Sequence, residues 1–195
     1  MELIFATNNR HKAEEIQRLI PRSIRVLTLE DVGLTEELPE DQDTLEGNAS
    51  QKSRYVYHRL YRSCFADDTG LEIDALGGKP GVFSARYAGD GKDPEANMDK
   101  VLKKLKDEDN RRARFRTVIS LILDEKEFFF EGVVEGHILR EKRGDQGFGY
   151  DPIFLPEGSS LTFAQMPMNM KNRISHRSRA IKKLANYLNQ YNNPS

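Results

Sequence analysis

The stretch CFADDTGLEIDALGGKPGVFSARYAG, Cys64 to Gly89, decides how the chain is read. It opens as a short apolar run, Cys64 to Ala66, and carries the adjacent carboxylates Asp67 and Asp68 at its end. The spacing predicts a strand that turns at Gly70, followed by a glycine-rich loop through Gly77, Gly78, Pro80 and Gly81 to a lone Arg86. In open α/β sheets the ligand crevice lies outside the carboxyl ends of the strands, and these acids fall there. Neighbours on a strand point to opposite faces, so one aspartate faces a site and the other the scaffold. The site-facing acid has two readings, a turn-forming carboxylate or a hard-oxygen ligand for Mg2+. Because the acids are adjacent rather than spaced DxD, a covalent phospho-enzyme is disfavoured.

Upstream, Glu2 to Ala6 reads as a first strand, followed by TNNRHK and a helix with Ala13, Ile16 and Ile20 on one face. That order places Thr7, Asn8 and Asn9 at a helix N-terminus, where free N–H groups and the dipole favour an anion. Lys12 adds positive charge in the first turn. The same residues also suit an ordinary N-cap with a solvated lysine. The GxxxxGK[ST] pattern of a P-loop is absent. A second strand is expected over Ile24 to Leu29, then an acidic loop over Thr35 to Glu46. From Asn48 a helix runs towards Leu60 with Ala49, Ser53, Val56 and Leu60 inward. Lys52 flanks that face, where a lysine ordinarily snorkels to water.

Downstream, Asp93-Pro94 opens a helix with Met98, Val101, Leu102 and Leu105 inward. The charged run Lys103 to Arg112 reads as a solvated helix end and loop. Arg114 to Leu123 and Glu127 to Leu139 read as a hairpin turning near Asp124-Glu125-Lys126. In GFGYDPIF, Gly147 to Phe154, glycines around Phe148 let the backbone approach a ligand and leave an aromatic face for stacking. Asp151 beside Tyr150 offers a polar edge, and a glycine-bracketed turn with core aromatics is the alternative. Ser175 is a natural N-cap for a last helix burying Ile181, Leu184 and Leu188, with Arg177 one turn earlier on the same stripe. An arginine there faces a cleft holding an anion or a carbonyl oxygen. Arg179, Lys182 and Lys183 lie off the stripe, towards solvent.

The composition sets the class. At 195 residues the chain fits one domain, or one with two lobes, and can bury a sizeable core. With 37% hydrophobic and 31% charged residues it is globular rather than disordered. A formal net charge of −1 supplies no global field for nucleic acid or membrane, so electrostatic partners must meet local patches. The lone Cys64 excludes an internal disulfide framework and reads as a small hydrophobe in a reducing cytosol. No apolar run approaches the roughly 20 residues needed to span a bilayer. The N-terminus lacks a signal-peptide pattern, so a cytoplasmic protein is expected.

In this order, TNNRHK, EGNASQKS, the Cys64–Gly89 stretch, GFGYDPIF and KNRISHRS resemble the inosine triphosphatase family, pyrophosphatases for non-standard purine nucleoside triphosphates. The resemblance covers nearly the whole chain. It implies a single two-lobed α/β domain over 1–195, with a long mixed β-sheet flooring a central cleft, flanked by helices and acting as a homodimer. It implies Mg2+-dependent hydrolysis of ITP, dITP or XTP to the monophosphate and pyrophosphate. Carried over by position, Thr7, Asn8, Asn9, Arg10, His11, Lys12 and Lys52 hold the triphosphate. Asp68 matches the general base and metal ligand, Glu40 the acidic metal position, and Thr69 touches substrate. Phe148, Gly149, Tyr150, Asp151, Lys171, His176 and Arg177 match the base pocket, with Phe148 stacking on the purine. Asp67 is then left as the scaffold-facing neighbour. Asn8, Met170 and Ser178 depart from the family pattern. Two other classes stand beside the enzyme, a nucleotide sensor on the same fold and a nucleic-acid module using the C-terminal basic cluster. Intact Asp68, Lys52 and Lys12 count against the first, and the net charge against the second.

Overall fold

The structure, a computed structural model, describes residues 1–192, with the side chains of His11, Glu15 and Asn192 outside the described residues. A mixed six-stranded sheet has the order β2-β1-β3-β4-β5-β6. Its strands are β1 (Glu2–Phe5), β2 (Arg25–Leu27), β3 (Cys64–Ile73), β4 (Arg112–Leu123), β5 (Lys126–Ile138) and β6 (Phe154–Pro156). The helices are α1 (Arg10–Gln17), α2 (Leu45–Leu60), α3 (Pro94–Lys104), α4 (Met168–Ile174) and α5 (His176–Asn192). β1 pairs in parallel with β2 and with β3, in register Ile4 to Cys64 and Phe5 to Phe65, while β5 and β6 are antiparallel.

The chain divides into two compact units. The first comprises Met1–Asp68, Thr117–Gly132 and Arg179–Ser195. Strand alternation builds it in three layers. Leu3, Phe5, Phe65, Ile119 and Leu121 meet Ala13 and Ile16 of α1 and Ile181, Leu184 and Leu188 of α5. Ile4, Ala6, Cys64, Ala66 and Ile122 turn the other way, onto Val56 of α2. Each large side chain so buried contributes about 1.5–3 kcal/mol. Burial pushes the Cys64 thiol up to about 12, so it stays protonated and acts as the small hydrophobe expected.

The second unit comprises Thr69–Arg116 and Val133–Ser178. Its core gathers Leu71 and Ile73 of β3, Met98 and Val101 of α3, Phe115 of β4 and Phe154 and Phe163. Phe115 and Phe154 meet edge to face, with centroids 4.6 Å apart. Asp93 caps α3 by accepting from the Glu95 N–H at 2.9 Å, as its Asp-Pro start predicts. The charged run before β4 is not all solvated. Arg111 donates to the carbonyls of Ile138, Leu105 and Leu139 at 2.7, 2.6 and 2.8 Å, tying the α3–β4 connection down.

The main correction concerns β3. It does not turn at Gly70 but runs unbroken for 10 residues to Ile73. The alternation Leu71, Glu72, Ile73 keeps a strand period after the glycine, and both apolar members bury completely. Asp67 and Asp68 therefore lie mid-strand. They still occupy a strand-end position, because β1 stops at Phe5, level with Phe65, and leaves β3 to continue alone on that side. Helix α2 starts at Leu45, ahead of the expected Asn48, since Thr44 caps it by accepting from the Gly47 N–H at 2.9 Å. The β4–β5 turn at Asp124 and Glu125 has φ of 48° and 64°, the left-handed pair of a type I′ hairpin.

Candidate active site

Where β1 ends, the chain enters the loop before α1. The Asn9 N–H donates to Thr7 Oγ1 at 3.2 Å, and Asn9 Oδ1 accepts the Lys12 N–H at 3.1 Å. The polar side chains of the loop thus shape its turn and cap the helix, which fixes the direction in which Lys12 leaves. Lys12 Nζ reaches Asp67 Oδ2 at 3.4 Å. Asp67 is accordingly not the scaffold-facing partner of the pair: its carboxylate meets the lysine of α1 and its carbonyl accepts from Lys52 Nζ at 2.7 Å.

Lys52 does not snorkel. It is buried on α2 and pairs with Glu40 as well as with the Asp67 carbonyl. Burial alone would lower its pKa, but the carboxylates of Asp67, Asp68 and Glu40 outweigh burial and raise it, so the ammonium stays charged. One turn earlier Asn48 donates from Nδ2 to Asp68 Oδ2 at 3.0 Å, while its Oδ1 accepts the Gln42 N–H at 2.9 Å. Gly47 lets the acidic loop lie this close, because a Cβ there would come within 2.8 Å of Gln42 Cβ. Lys12, Glu40, Lys52, Asp67 and Asp68 are thereby brought into one network. Arg10 is not, since its guanidinium pairs with Glu30 at 2.9 Å. The His11 side chain lies outside the described residues, and Asn8 is exposed.

Among the described residues no group of three or more His, Cys, Asp or Glu side chains could hold a metal. Mg2+ is usually bound through one or two carboxylates and substrate phosphates rather than by an all-protein cage. Glu40 and Asp68 offer hard oxygen donors of that kind, so the donor set fits a hard divalent ion.

The second unit holds a cavity of about 290 Å3 lined by Thr69, Phe115, Phe148, Asp151, His176 and Arg177 among others. Phe148 is 61% exposed, held up on a loop whose flanking glycines have φ of 79° and 61°. Asp151 anchors that loop. At 2% exposure its carboxylate accepts the Phe148 N–H at 2.9 Å and pairs with the buried Lys171. It is a buried anchor, not the open polar edge expected from its position beside Tyr150. The Lys171 ammonium lies 4.5 Å from the Phe148 ring centroid and the Arg177 guanidinium 5.7 Å, so cations border the exposed ring. His176 stacks on Phe115 with centroids 4.7 Å apart. Ser175 caps α5, accepting the Ser178 N–H at 3.2 Å, which orients Arg177 in the first turn. Burial raises the Tyr150 hydroxyl pKa, so it remains a donor, bonded to the Ser84 carbonyl at 2.7 Å.

Sequence reasoning passed over Asn48 and Asn97 and put Asp67 on the scaffold side. Asn97 sits beside the apolar stripe of α3, accepts the Ala88 N–H at 2.7 Å and donates to the Ala85 carbonyl at 3.0 Å, shaping the pocket wall. Its signal in the sequence is an asparagine four residues before Val101, on the side of α3 that the apolar residues share.

The first unit gathers lysines among carboxylates where β1 ends, the second carries a pocket with cations on an aromatic ring, and the fold is that of a mixed α/β protein. The sequence profile of the Ham1 family matches residues 3–187. The chain belongs to that family. It is 50% identical over 188 residues to a dITP/XTP pyrophosphatase of Flavobacterium johnsoniae, covering 96% of this chain and 98% of the relative. To the dITP/XTP pyrophosphatase of Bacillus subtilis it is 46% identical over 191 residues, covering 96% of each. The Staphylococcus aureus Ham1 protein superposes with a TM-score of 0.94 at 38% identity, over 98% of this chain and 100% of that one. A HAM1 protein from Coxiella burnetii gives 0.93 at 36% identity, over 97% and 99%.

Proposed function

We propose that the chain hydrolyses dITP, ITP and XTP to the monophosphate and pyrophosphate, the activity in the names of its bacterial relatives. One observation carries the reading. Asp68 stands where β1 gives out, in a network with two lysines, the arrangement needed to activate water beside a polyphosphate.

In this reading the loop from Thr7 to Lys12 and the ammonium groups of Lys12 and Lys52 hold the triphosphate. Asp68 accepts a proton from a water molecule as its oxygen attacks the α-phosphorus. The bond from that phosphorus to the α–β bridging oxygen breaks, and pyrophosphate leaves with the bridging oxygen. Lys12 and Lys52 offset the charge that develops on the leaving group. Glu40 and Asp68 would hold Mg2+, which supplies Lewis-acid charge neutralisation when bound. The base enters the pocket of the second unit. Phe148 stacks on the purine, and Lys171, His176 and Arg177 present donors to a 6-oxo group, with Thr69, Gly149, Tyr150 and Asp151 framing the site. Adenine offers hydrogens where those donors stand and is rejected. The family resemblance supports a homodimer in the cytoplasm. No helix among the described residues is long and apolar enough to cross a membrane.

Pyrophosphate release measured on ITP, XTP, GTP and ATP, with Mg2+ and with chelator, tests the proposal. Turnover of ITP and XTP is expected to exceed that of ATP by about 100-fold or more, and to stop with chelator. Equal rates on all four, or rates indifferent to chelator, would sink it.

A further inference from the structure

Two residues of α2, one turn apart, make matching pairs of bonds. Lys52 bonds the acidic loop through Glu40 and the β3 strand through the Asp67 carbonyl. Asn48 bonds the same loop through the Gln42 N–H and the same strand through Asp68 Oδ2. Positions i and i+4 share a helix face, so the two side chains form successive rungs between loop and strand.

The Asn48 rung has a fixed polarity. The Gln42 N–H is a donor and can only meet Oδ1, so the amide cannot flip and Nδ2 must face Asp68. At 2% exposure the amide has no room to swing away. One oxygen of Asp68 is therefore pinned by a neutral donor, which fixes the plane of the carboxylate. The bond also sets the separation of Asp68 from the loop that carries Glu40. Gly47, next in the chain, is what lets Gln42 approach Asn48.

We propose that Asn48 is a positioning residue for the hydrolysis proposed above: it orients the Asp68 carboxylate and holds the Glu40 loop at a fixed offset from it. The inference rests on that functional reading. A residue that orients a working carboxylate typically matters by about 10–100-fold when removed. Its loss should fall on kcat, because the groups that bind the triphosphate and base are other residues.

Two variants test it. Asn48→Ala removes both bonds, and Asn48→Asp keeps an acceptor for the Gln42 N–H while losing the donor to Asp68. Both are expected to lose about 10–100-fold in kcat on dITP. For Asn48→Ala, the calorimetric Kd for a non-hydrolysable α,β-imido analogue of ITP is expected to stay within about threefold of the parent. Asn48→Asp also sets a second carboxylate against Asp68, so the two roles are separated by the Asn48→Ala split: a merely structural role would leave kcat of the folded variant near the parent value and weaken stability or analogue binding instead. The inference is overturned if either folded variant keeps kcat within about twofold, or if the loss appears wholly as weaker analogue binding. Should Asn48→Ala fail to fold, Asn48→Ser, which keeps a small neutral side chain at the position, decides on the same split between kcat and analogue Kd. A parent protein that releases no pyrophosphate from dITP or XTP overturns the functional reading itself, which separates the two failures.

Discussion

Lys52 sits where two opposing electrostatic effects meet. Burial disfavours its charge, while the three carboxylates around it favour the charge and win, so its folded-state pKa lies above the ordinary 10.5. A group raised in this way contributes stability that is fully present below its unfolded pKa and is lost as pH rises through the folded value. The stability of the parent relative to Lys52→Met, from urea unfolding, is thus expected to be constant between about pH 7 and pH 9 and to fall above 10.5. A relative stability that rose above 10.5 would show the carboxylates do not hold the charge. By position alone Lys52 reads as a lysine beside an apolar face, which usually means a solvated head group, and only the family resemblance sets it at the triphosphate. Its burial depends on Glu40 and the Asp67 carbonyl, partners 12 and 15 residues away. Asp67 was misplaced for a related reason. Strand alternation separates the two aspartates correctly, but it cannot say that Lys12 waits on the other side.

Among the elements, those governed by local rules were legible and those governed by remote partners were not. The Asp-Pro start of α3, the Ser175 cap and apolar stripe of α5 and the β4–β5 hairpin follow from residues a few positions apart. The turn at Gly70 was misread because a glycine after two acids is a turn signal locally. The second core, which takes Leu71 and Ile73, overrides it. The Phe148 loop shows a third case, a local signal with a remote reason. Gly147 has φ of 79°, and a side chain there would run into the Asp151 carboxylate that anchors the loop. Gly147→Ala therefore meets both backbone strain of about 1–2 kcal/mol and a collision with that anchor. Steady-state kinetics on dITP are expected to show KM raised about 5–30-fold, with kcat changed much less. A loss confined to kcat would mean that this loop does not bind the base.

At the scale of the whole molecule, the sequence carried the mixed α/β architecture through the order of its motifs, and the Ham1 family match agrees with that reading. The partition was less visible. β3, β4, β5 and α5 each contribute residues to both compact units, so no linker or composition shift marks a boundary. The first crossing between units falls at the Asp68–Thr69 peptide bond; the lysine–carboxylate network belongs to the first unit and the pocket residues to the second. The proposed hydrolysis makes cleavage position the central claim. Phosphorus NMR of dITP turnover by the parent and by Asp68→Asn tests it most directly. The parent is expected to yield dIMP and pyrophosphate in equal amounts. Asp68→Asn, folded and with an unchanged melting temperature, should be slower by about 100-fold or more. Release of dIDP and inorganic phosphate, or an Asp68→Asn variant as fast as the parent, would contradict the account.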